Sequence, residues 1–199
     1  MDARSFYNKF TKAFNEKTVH DNGKTYLEIY QEDEKTFTKI INKIVLPRII
    51  ESQGLKSQNE YFRIDTIGWE PKCETISQEL AKSLGMSRHL WNLKIAVEHE
   101  NDKSDWTDEL IKLAHIRCPL KVVIGYVHYD ERNDIEVNKL EYAYHCLRKT
   151  DAFDLSANEE LLIILGNGTP RKKGYPSYTE FGYRPYLLSK EKEGFIPMV

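Results

Sequence analysis

The stretch Leu120–Val127 is the sequence feature that most constrains the fold. It reads Leu-Lys-Val-Val-Ile-Gly-Tyr-Val and is apolar at nearly every position. A strand that is apolar on both faces is typical of the centre of a sheet that other elements cover on both sides. Helical periodicity alternates with further apolar strands around it. We therefore expect a single α/β domain over residues 1–199, with a central mixed β-sheet flanked by helices on both faces.

The rest of the chain supplies candidate elements for this sheet. Apolar residues at helical spacing predict helices over 2–19, 34–51, 74–86, 106–116 and 137–147. Alternating or continuous apolar runs predict strands at Thr25–Tyr30, Tyr61–Trp69, Leu90–Glu100, Leu161–Leu165 and Tyr183–Leu188. We expect Pro47 to kink or end its helix, although Ile49 and Ile50 indicate that the helix resumes after it, and we expect the C-terminus to be loosely held.

Composition excludes some classes of protein and leaves others open. The formal net charge is −2, so bulk charge does not indicate a nucleic-acid partner. The sequence contains no run of eighteen apolar residues, so no membrane span is indicated. The cysteines Cys73, Cys118 and Cys146 are widely spaced and odd in number. They fit reduced thiols better than disulfides or a zinc site, and this predicts a cytoplasmic location.

Three acidic residues stand out on the predicted strands. Glu98 and Glu100 end the apolar strand Leu90–Glu100, and their spacing places them on the same face. Asp65 lies in the strand Tyr61–Trp69. If these two strands are neighbours, all three carboxylates meet at one edge of the sheet. Carboxylate oxygens are typical ligands of Mg²⁺ or Mn²⁺, which make a bound water more acidic and neutralise phosphodiester charge.

Residues 34–127 resemble the PD-(D/E)xK nuclease superfamily, to which many restriction and repair nucleases belong. Asp65, within Arg-Ile-Asp, matches the first acid of its motif, and Glu98, after Ile-Ala-Val, matches the second. The resemblance implies a restriction-endonuclease-like core over 34–127, with a C-terminal helix and strand extension over 128–199. It also implies a Mg²⁺- or Mn²⁺-dependent endonuclease that hydrolyses DNA phosphodiester bonds, with Asp65 and Glu98 as metal ligands.

The main departure from the superfamily motif lies at its lysine. Glu100 stands where the motif usually has lysine, and the sequence is similar in this respect to the restriction enzyme BamHI, which is active with Glu-x-Glu. The general base therefore stays open. Candidates are Glu100 itself, Lys112 reaching back from the following helix and, more weakly, Lys94. Glu51, near the end of the preceding helix, matches the extra acid that many members keep there as a metal ligand.

The clearest basic run is a candidate contact for the DNA backbone. Arg171, Lys172 and Lys173 lie in a loop between glycines and prolines. Such a run is usually a solvated loop, and phosphate contact is the alternative that a nearby metal site favours. Because cleavage of a duplex usually needs two active sites, a homodimer is a further expectation.

Blander interpretations stand beside each of these assignments. Glu98 and Glu100 can be a solvated strand end, and Lys112 can be a surface lysine paired with Asp108. Asp65 can be a capping residue or an ion-pair partner of Arg63 or Arg88. The chain as a whole can be a catalytically inactive relative that binds nucleic acid or another partner. It can also be an unrelated α/β protein whose acids coincide by chance, and the distance of Asp65 from Glu98 decides that case.

Overall fold

The computed structural model describes residues 1–15, 18–20, 23–71, 78–85, 91–102, 106–128, 134–150, 158–168 and 179–198. The helices are α1 (Ala3–Ala13), α2 (Tyr26–Glu32), α3 (Glu34–Ile40), α4 (Leu46–Glu51), α5 (Gln78–Ser83), α6 (Trp106–Ala114) and α7 (Ile135–Arg148), and a π-helical turn (Ile41–Val45) joins α3 to α4. The strands are β1 (Lys56–Tyr61), β2 (Ile64–Pro71), β3 (Trp91–His99), β4 (Leu120–His128), β5 (Glu160–Gly168), β6 (Arg184–Ser189) and β7 (Gly194–Pro197).

The strands form one mixed sheet of seven strands in the order in which they occur along the chain. The central pairs β3–β4 and β4–β5 are parallel. The outer pairs β1–β2, β2–β3, β5–β6 and β6–β7 are antiparallel. The predicted α/β architecture with a central mixed sheet is therefore confirmed, and β4 holds the central position that its apolar sequence indicates.

Helices cover the sheet on both faces because the buried strands alternate their apolar side chains between two cores. In one core, the helices from α1 through α4 pack against one face of the sheet, and this core includes Phe10, Phe37 and Val122. The other joins α6 and α7 to the opposite face and includes Trp106 and Val123. The adjacent β4 residues Val122 and Val123 thus lie in different cores, as the period of two along a strand requires.

Helix α6 lies very close to β4 because the strand carries a glycine beneath it. A Cβ atom at Gly125 would lie 2.9 Å from Cγ of Trp106. Trp106 is fully buried at the start of α6, together with Leu110 and Leu113 further along the same face. The glycine therefore sets how closely α6 approaches the sheet, and α6 carries two residues of the site described below.

The prediction of a strand at Thr25–Tyr30 is wrong, since this segment starts helix α2. Thr25 accepts a hydrogen bond from the backbone N–H of Glu28, and the Glu28 carboxylate accepts one from the backbone N–H of Thr25. This reciprocal capping box satisfies N–H groups that the first turn of a helix leaves without partners. Tyr26, Ile29 and Tyr30 are then buried on one side.

The predicted strand Tyr61–Trp69 is in fact the end of one strand and most of the next. β1 and β2 form a hairpin in which Tyr61 pairs with Ile64 across a two-residue turn. The predicted loose C-terminus also contains a strand, since β7 pairs with β6. Pro47 does not end its helix, because the π-helical turn Ile41–Val45 leads directly into α4 and the Asn42 carbonyl accepts a hydrogen bond from the Thr66 hydroxyl.

None of the helices in the described ranges is both long and apolar enough to cross a membrane.

Candidate active site

The candidate site lies at the edge of the sheet where the parallel strands end. Asp65 is the second residue of β2, and Glu98 is the last but one of β3. The backbone N–H of Asp65 donates to Oε2 of Glu98 over 3.3 Å, and the backbone N–H of His99 donates to Oδ2 of Asp65 over 2.8 Å. The two carboxylates are therefore neighbours across antiparallel strands. Ligands of α/β proteins commonly bind outside this edge of the sheet.

Lys112 reaches this pair of carboxylates from helix α6. Its Nζ lies 2.7 Å from Oε1 of Glu98. The same ammonium group donates to the backbone carbonyl of Arg63 over 3.0 Å, at the hairpin turn that precedes β2. Lys112 thus reaches the acids from the following helix, which is the position considered for a relocated lysine. The alternative pairing with Asp108 is not the one the structure has.

Glu109 is a fourth acid of the site, and its place there was not predicted from the sequence. It lies one helical turn before Lys112 and forms an ion pair with it. Burial is the main cause of the raised pKa values of Asp65, Glu98 and Glu100, and repulsion from Glu109 adds to all three, so its charge acts on the whole cluster. The i,i+3 spacing of Glu109 and Lys112 is the signal that points to it, since such residues share one face of a helix.

Burial and mutual repulsion perturb the protonation of the cluster. Glu98 is 1% exposed. Burial, assisted by the charges of Asp65 and Glu109, raises the pKa of Glu98 to about 8, although Lys112 opposes the shift. Burial also raises the pKa of Asp65, against the hydrogen bond from the His99 backbone. Burial alone would lower the pKa of Lys112, but its contacts with Glu109 and Glu98 raise it, so the ammonium group stays charged.

Glu100 lies just beyond β3 and is only partly buried. Its Oε1 accepts a hydrogen bond of 2.6 Å from the backbone N–H of Asp102. Burial raises the pKa of Glu100, against that hydrogen bond, and repulsion from Glu109 adds to the rise. A carboxylate of raised pKa with access to water is a stronger general base than an ordinary one. Glu100 therefore has the properties that activation of a water molecule requires.

His99 turns away from the acids and packs into the opposite core. Its Nε2 lies 3.1 Å from the hydroxyl of Tyr126, and its ring meets Phe37 edge to face. Burial lowers the pKa of His99 to about 3, so the ring is neutral at physiological pH. His99 fixes the end of β3 by packing and hydrogen bonding, and it does not point towards the carboxylates.

The cluster fits a divalent cation in the chemistry of its donors. Asp65 and Glu98 offer hard oxygen ligands, and a half-buried and a buried carboxylate that repel each other favour a bound cation. Among the residues that the structure describes, however, no group of three or more His, Cys, Asp or Glu side chains is arranged to hold a metal ion. The Lys112 ammonium lies against Glu98 and supplies the positive charge there.

A groove lined with lysines opens on the other side of Asp65. It has a volume of about 340 Å³ and lies between α3, the π-helical turn and the β1–β2 hairpin. Lys35, Lys39 and Lys43 line it, and all three are exposed. Their spacing of four residues places them in a row along one helical face. The side chain of Asn101, which follows β3, donates to the Glu34 carbonyl and so ties the strand of the site to this helix.

The structure does not bring Glu51 to the cluster. Its Oε1 accepts a hydrogen bond of 2.6 Å from Ser57, whose strand partner is Gly68. Gly68 lies three residues along β2 from Asp65, which corresponds to about 10 Å. The weaker lysine candidate, Lys94, also lies elsewhere, in an ion pair of 2.7 Å with Glu70. The basic run 171–173 lies outside the described residues.

No protein-family model, curated protein or solved structure matches the chain.

Proposed function

We propose that the protein is a metal-dependent DNA endonuclease of the restriction-endonuclease-like kind. The observation that carries the proposal is that Asp65, Glu98 and Lys112 meet at one edge of the sheet. The Lys112 Nζ atom lies 2.7 Å from Oε1 of Glu98. Two acids on adjacent antiparallel strands and a lysine beside them are the chemical groups that the superfamily motif supplies. Here the lysine comes from helix α6 instead of the strand.

The order of elements supports the same assignment. A helical segment (α3 to α4), the hairpin β1–β2, the strand β3, the helix α6 and the strand β4 occur in this order from residue 34 to residue 128, with the short helix α5 inserted between β2 and β3. This is the order that the resemblance implies for a restriction-endonuclease-like core. The first acid lies on the second of these strands and the second acid on the third, as the motif requires.

Each residue of the cluster has a role that follows from its protonation and contacts. Asp65 and Glu98 would hold Mg²⁺ or Mn²⁺, which supplies a more acidic water and neutralises phosphate charge when bound. Glu100 is partly exposed and accepts the proton of the attacking water. Lys112 stays protonated and stabilises the negative charge that develops on the phosphate. Glu109 holds the Lys112 ammonium in position.

The lysine groove is an argument for a polyanionic substrate, although the net charge of the chain is −2. Lys35, Lys39 and Lys43 form a local cationic row beside Asp65. Lysine side chains on one helical face neutralise phosphates without reading sequence. A DNA strand that follows this row arrives at the carboxylates. Arg171, Lys172 and Lys173 remain a second proposed contact with the backbone.

A comparison of two lysine variants tests the proposal. Lys112→Met removes the ammonium from the cluster, whereas Lys94→Met removes a lysine that is paired with Glu70 outside it. Cleavage of plasmid and oligonucleotide DNA with Mg²⁺ or Mn²⁺ is measured for both. We expect a loss of at least a hundredfold in rate for Lys112→Met and little change for Lys94→Met, since electrostatic stabilisation by one group contributes about two orders of magnitude. Equal rates in the two variants would remove the role assigned to Lys112.

The second candidate is an inactive relative that binds nucleic acid without cleaving it. The observation in its favour is that no group of three metal-binding side chains forms among the described residues, while Lys112 already neutralises Glu98. Calorimetric titration with Mn²⁺ separates the two candidates. Binding that disappears in Asp65→Asn favours the enzyme, and DNA binding without any metal binding favours the inactive relative.

A further inference from the structure

The turn between β1 and β2 has a conformation that its residues do not favour. Phe62 and Arg63 form a two-residue loop between the paired residues Tyr61 and Ile64. Both have positive φ, at 48° for Phe62 and 63° for Arg63. Hairpins of this kind favour Asn-Gly or Gly-Gly, because residues with a Cβ are strained there. The loop therefore keeps two large side chains at positions where glycine would relieve strain.

The strained turn places an aromatic ring in solvent. Phe62 is 80% exposed. Its ring meets only the edge of Tyr61 among the ring contacts of the described residues, with a centroid distance of 4.6 Å. A ring in this position contributes little to the core. Residues held in unfavourable backbone conformations cluster at sites where the side chain itself has a use.

The turn lies between the two surfaces that the proposed function uses. On one side Lys112 of the acidic cluster donates to the carbonyl of Arg63. On the other side the hairpin residues Glu60 and Asp65 line the lysine groove. Phe62 directly precedes Arg63, so its exposed ring belongs to the turn that Lys112 contacts beside the acidic cluster.

We infer that Phe62 stacks on an unpaired base next to the bond to be cleaved, so that the preferred substrate is single-stranded DNA. In a duplex each base is already stacked and paired, and a protein must first extrude it. Aromatic side chains beside a cationic path are the usual means of binding single strands without sequence preference. The inference rests on the proposed nuclease function and adds the class of strand to it.

Three variants of the full chain test this inference in binding and in cleavage. Phe62→Leu keeps an apolar side chain without the ring, Phe62→Trp keeps a ring, and Tyr142→Leu removes another exposed aromatic residue, on α7, which is 63% exposed. Affinity for a single strand and for the duplex of the same sequence is measured in EDTA at fixed salt. A 2-aminopurine base in the single strand reports stacking through its fluorescence. Cleavage of both DNAs with Mn²⁺ follows.

We expect the wild-type protein and Phe62→Trp to bind and cleave the single strand better than the duplex. Phe62→Leu should bind the single strand roughly tenfold more weakly and lose the 2-aminopurine signal, with little change for the duplex, while Tyr142→Leu behaves as wild type. If the wild-type protein cleaves DNA and Phe62→Leu cleaves the single strand at the same rate, the inference about Phe62 is wrong while the proposed nuclease function stands. A wild-type protein that neither binds nor cleaves either DNA would overturn it together with the proposed function.

The melting temperature separates stacking from a structural role of the ring. Phe62→Gly removes the ring and also the strain of a positive φ of 48°. We expect this variant to melt at the same temperature as wild type or higher, and yet to lose single-strand affinity as Phe62→Leu does. A fall in melting temperature with unchanged affinity would show that the ring serves the fold, and it would overturn the inference.

Discussion

Replacement of Glu98 by Gln should change how the stability of the protein depends on pH. The pKa of Glu98 is raised from 4.5 to about 8, chiefly by burial. Because the folded state holds this proton more tightly than the unfolded state, its contribution favours folding at low pH. The contribution is lost as the pH rises from 4.5 towards 8. Gln has no proton to lose, and its amide oxygen can still accept from the Asp65 backbone.

The size of the effect follows from the pKa values of the two states. Between pH 5 and pH 8 the ionisation of Glu98 should remove about 3 kcal/mol from the free energy of unfolding of the metal-free wild-type protein, relative to Glu98→Gln. The pKa of about 8 for Glu98 already takes account of Lys112, whose contact with Glu98 lowers that pKa.

Urea denaturation in EDTA at several pH values from 5 to 8 measures the difference between wild type and Glu98→Gln. The matched control is Glu70→Gln, which removes a carboxylate paired with Lys94 at the surface of the sheet. We expect the control to follow the wild-type curve. Parallel curves for wild type and Glu98→Gln would refute the reasoning, because they would mean that Glu98 ionises in the folded state as it does in the unfolded chain.

Two further predictions concern the elements that position the site. Gly125→Ala should lower the free energy of unfolding by about 1–3 kcal/mol, since the new Cβ would lie 2.9 Å from Trp106. Gly194→Ala, where the nearest atom is 3.9 Å away, is the control, and equal losses would contradict the close packing of α6. Thr25→Ala should cost about 1 kcal/mol by removing the cap of α2. An unchanged urea midpoint for this variant would mean that the reciprocal hydrogen bonds between Thr25 and Glu28 do not stabilise the helix.

The elements with strong apolar periodicity were predictable from the sequence. β3, β4, α6 and β5 lie close to their expected positions, because each one buries a full face or both faces. Asp65 and Glu98 were expected to meet only on the condition that their strands are neighbours, and the antiparallel pairing of β2 with β3 meets that condition. These parts of the fold depend on burial, and burial leaves a clear pattern in the sequence.

Other parts left a weaker or a misleading pattern. β1 has the sequence Lys-Ser-Gln-Asn-Glu-Tyr and is an edge strand, so no apolar alternation marks it. The turn at Phe62 and Arg63 contains no glycine or asparagine. The alternating side-chain pattern of Tyr61–Trp69 continues through this turn, so the sequence predicted one uninterrupted strand. Thr25–Tyr30 also alternates, but the pair Thr25 and Glu28 is a capping signal that outweighs alternation.

Within the site, the helix residues were harder to predict than the strand residues. Glu109 lies on the flank of α6, beside its buried stripe, and its role depends on how closely α6 approaches β4. Lys112 was one of several candidate lysines, and tertiary packing decides that it pairs with Glu98 and Glu109 and not with Asp108. Sequence spacing defines which residues share a helical face, whereas the direction of that face comes from the core.

The central claim is tested most directly by DNA cleavage with wild-type protein and with Asp65→Asn, each with Mn²⁺ and with EDTA. Asn keeps an oxygen that can accept the hydrogen bond from His99, so the fold should persist, and circular dichroism checks this. The account predicts cleavage by the wild-type protein that EDTA abolishes and that Asp65→Asn lacks. Cleavage at the wild-type rate by a folded Asp65→Asn protein, or a wild-type protein that cleaves no DNA with any divalent metal, would contradict it.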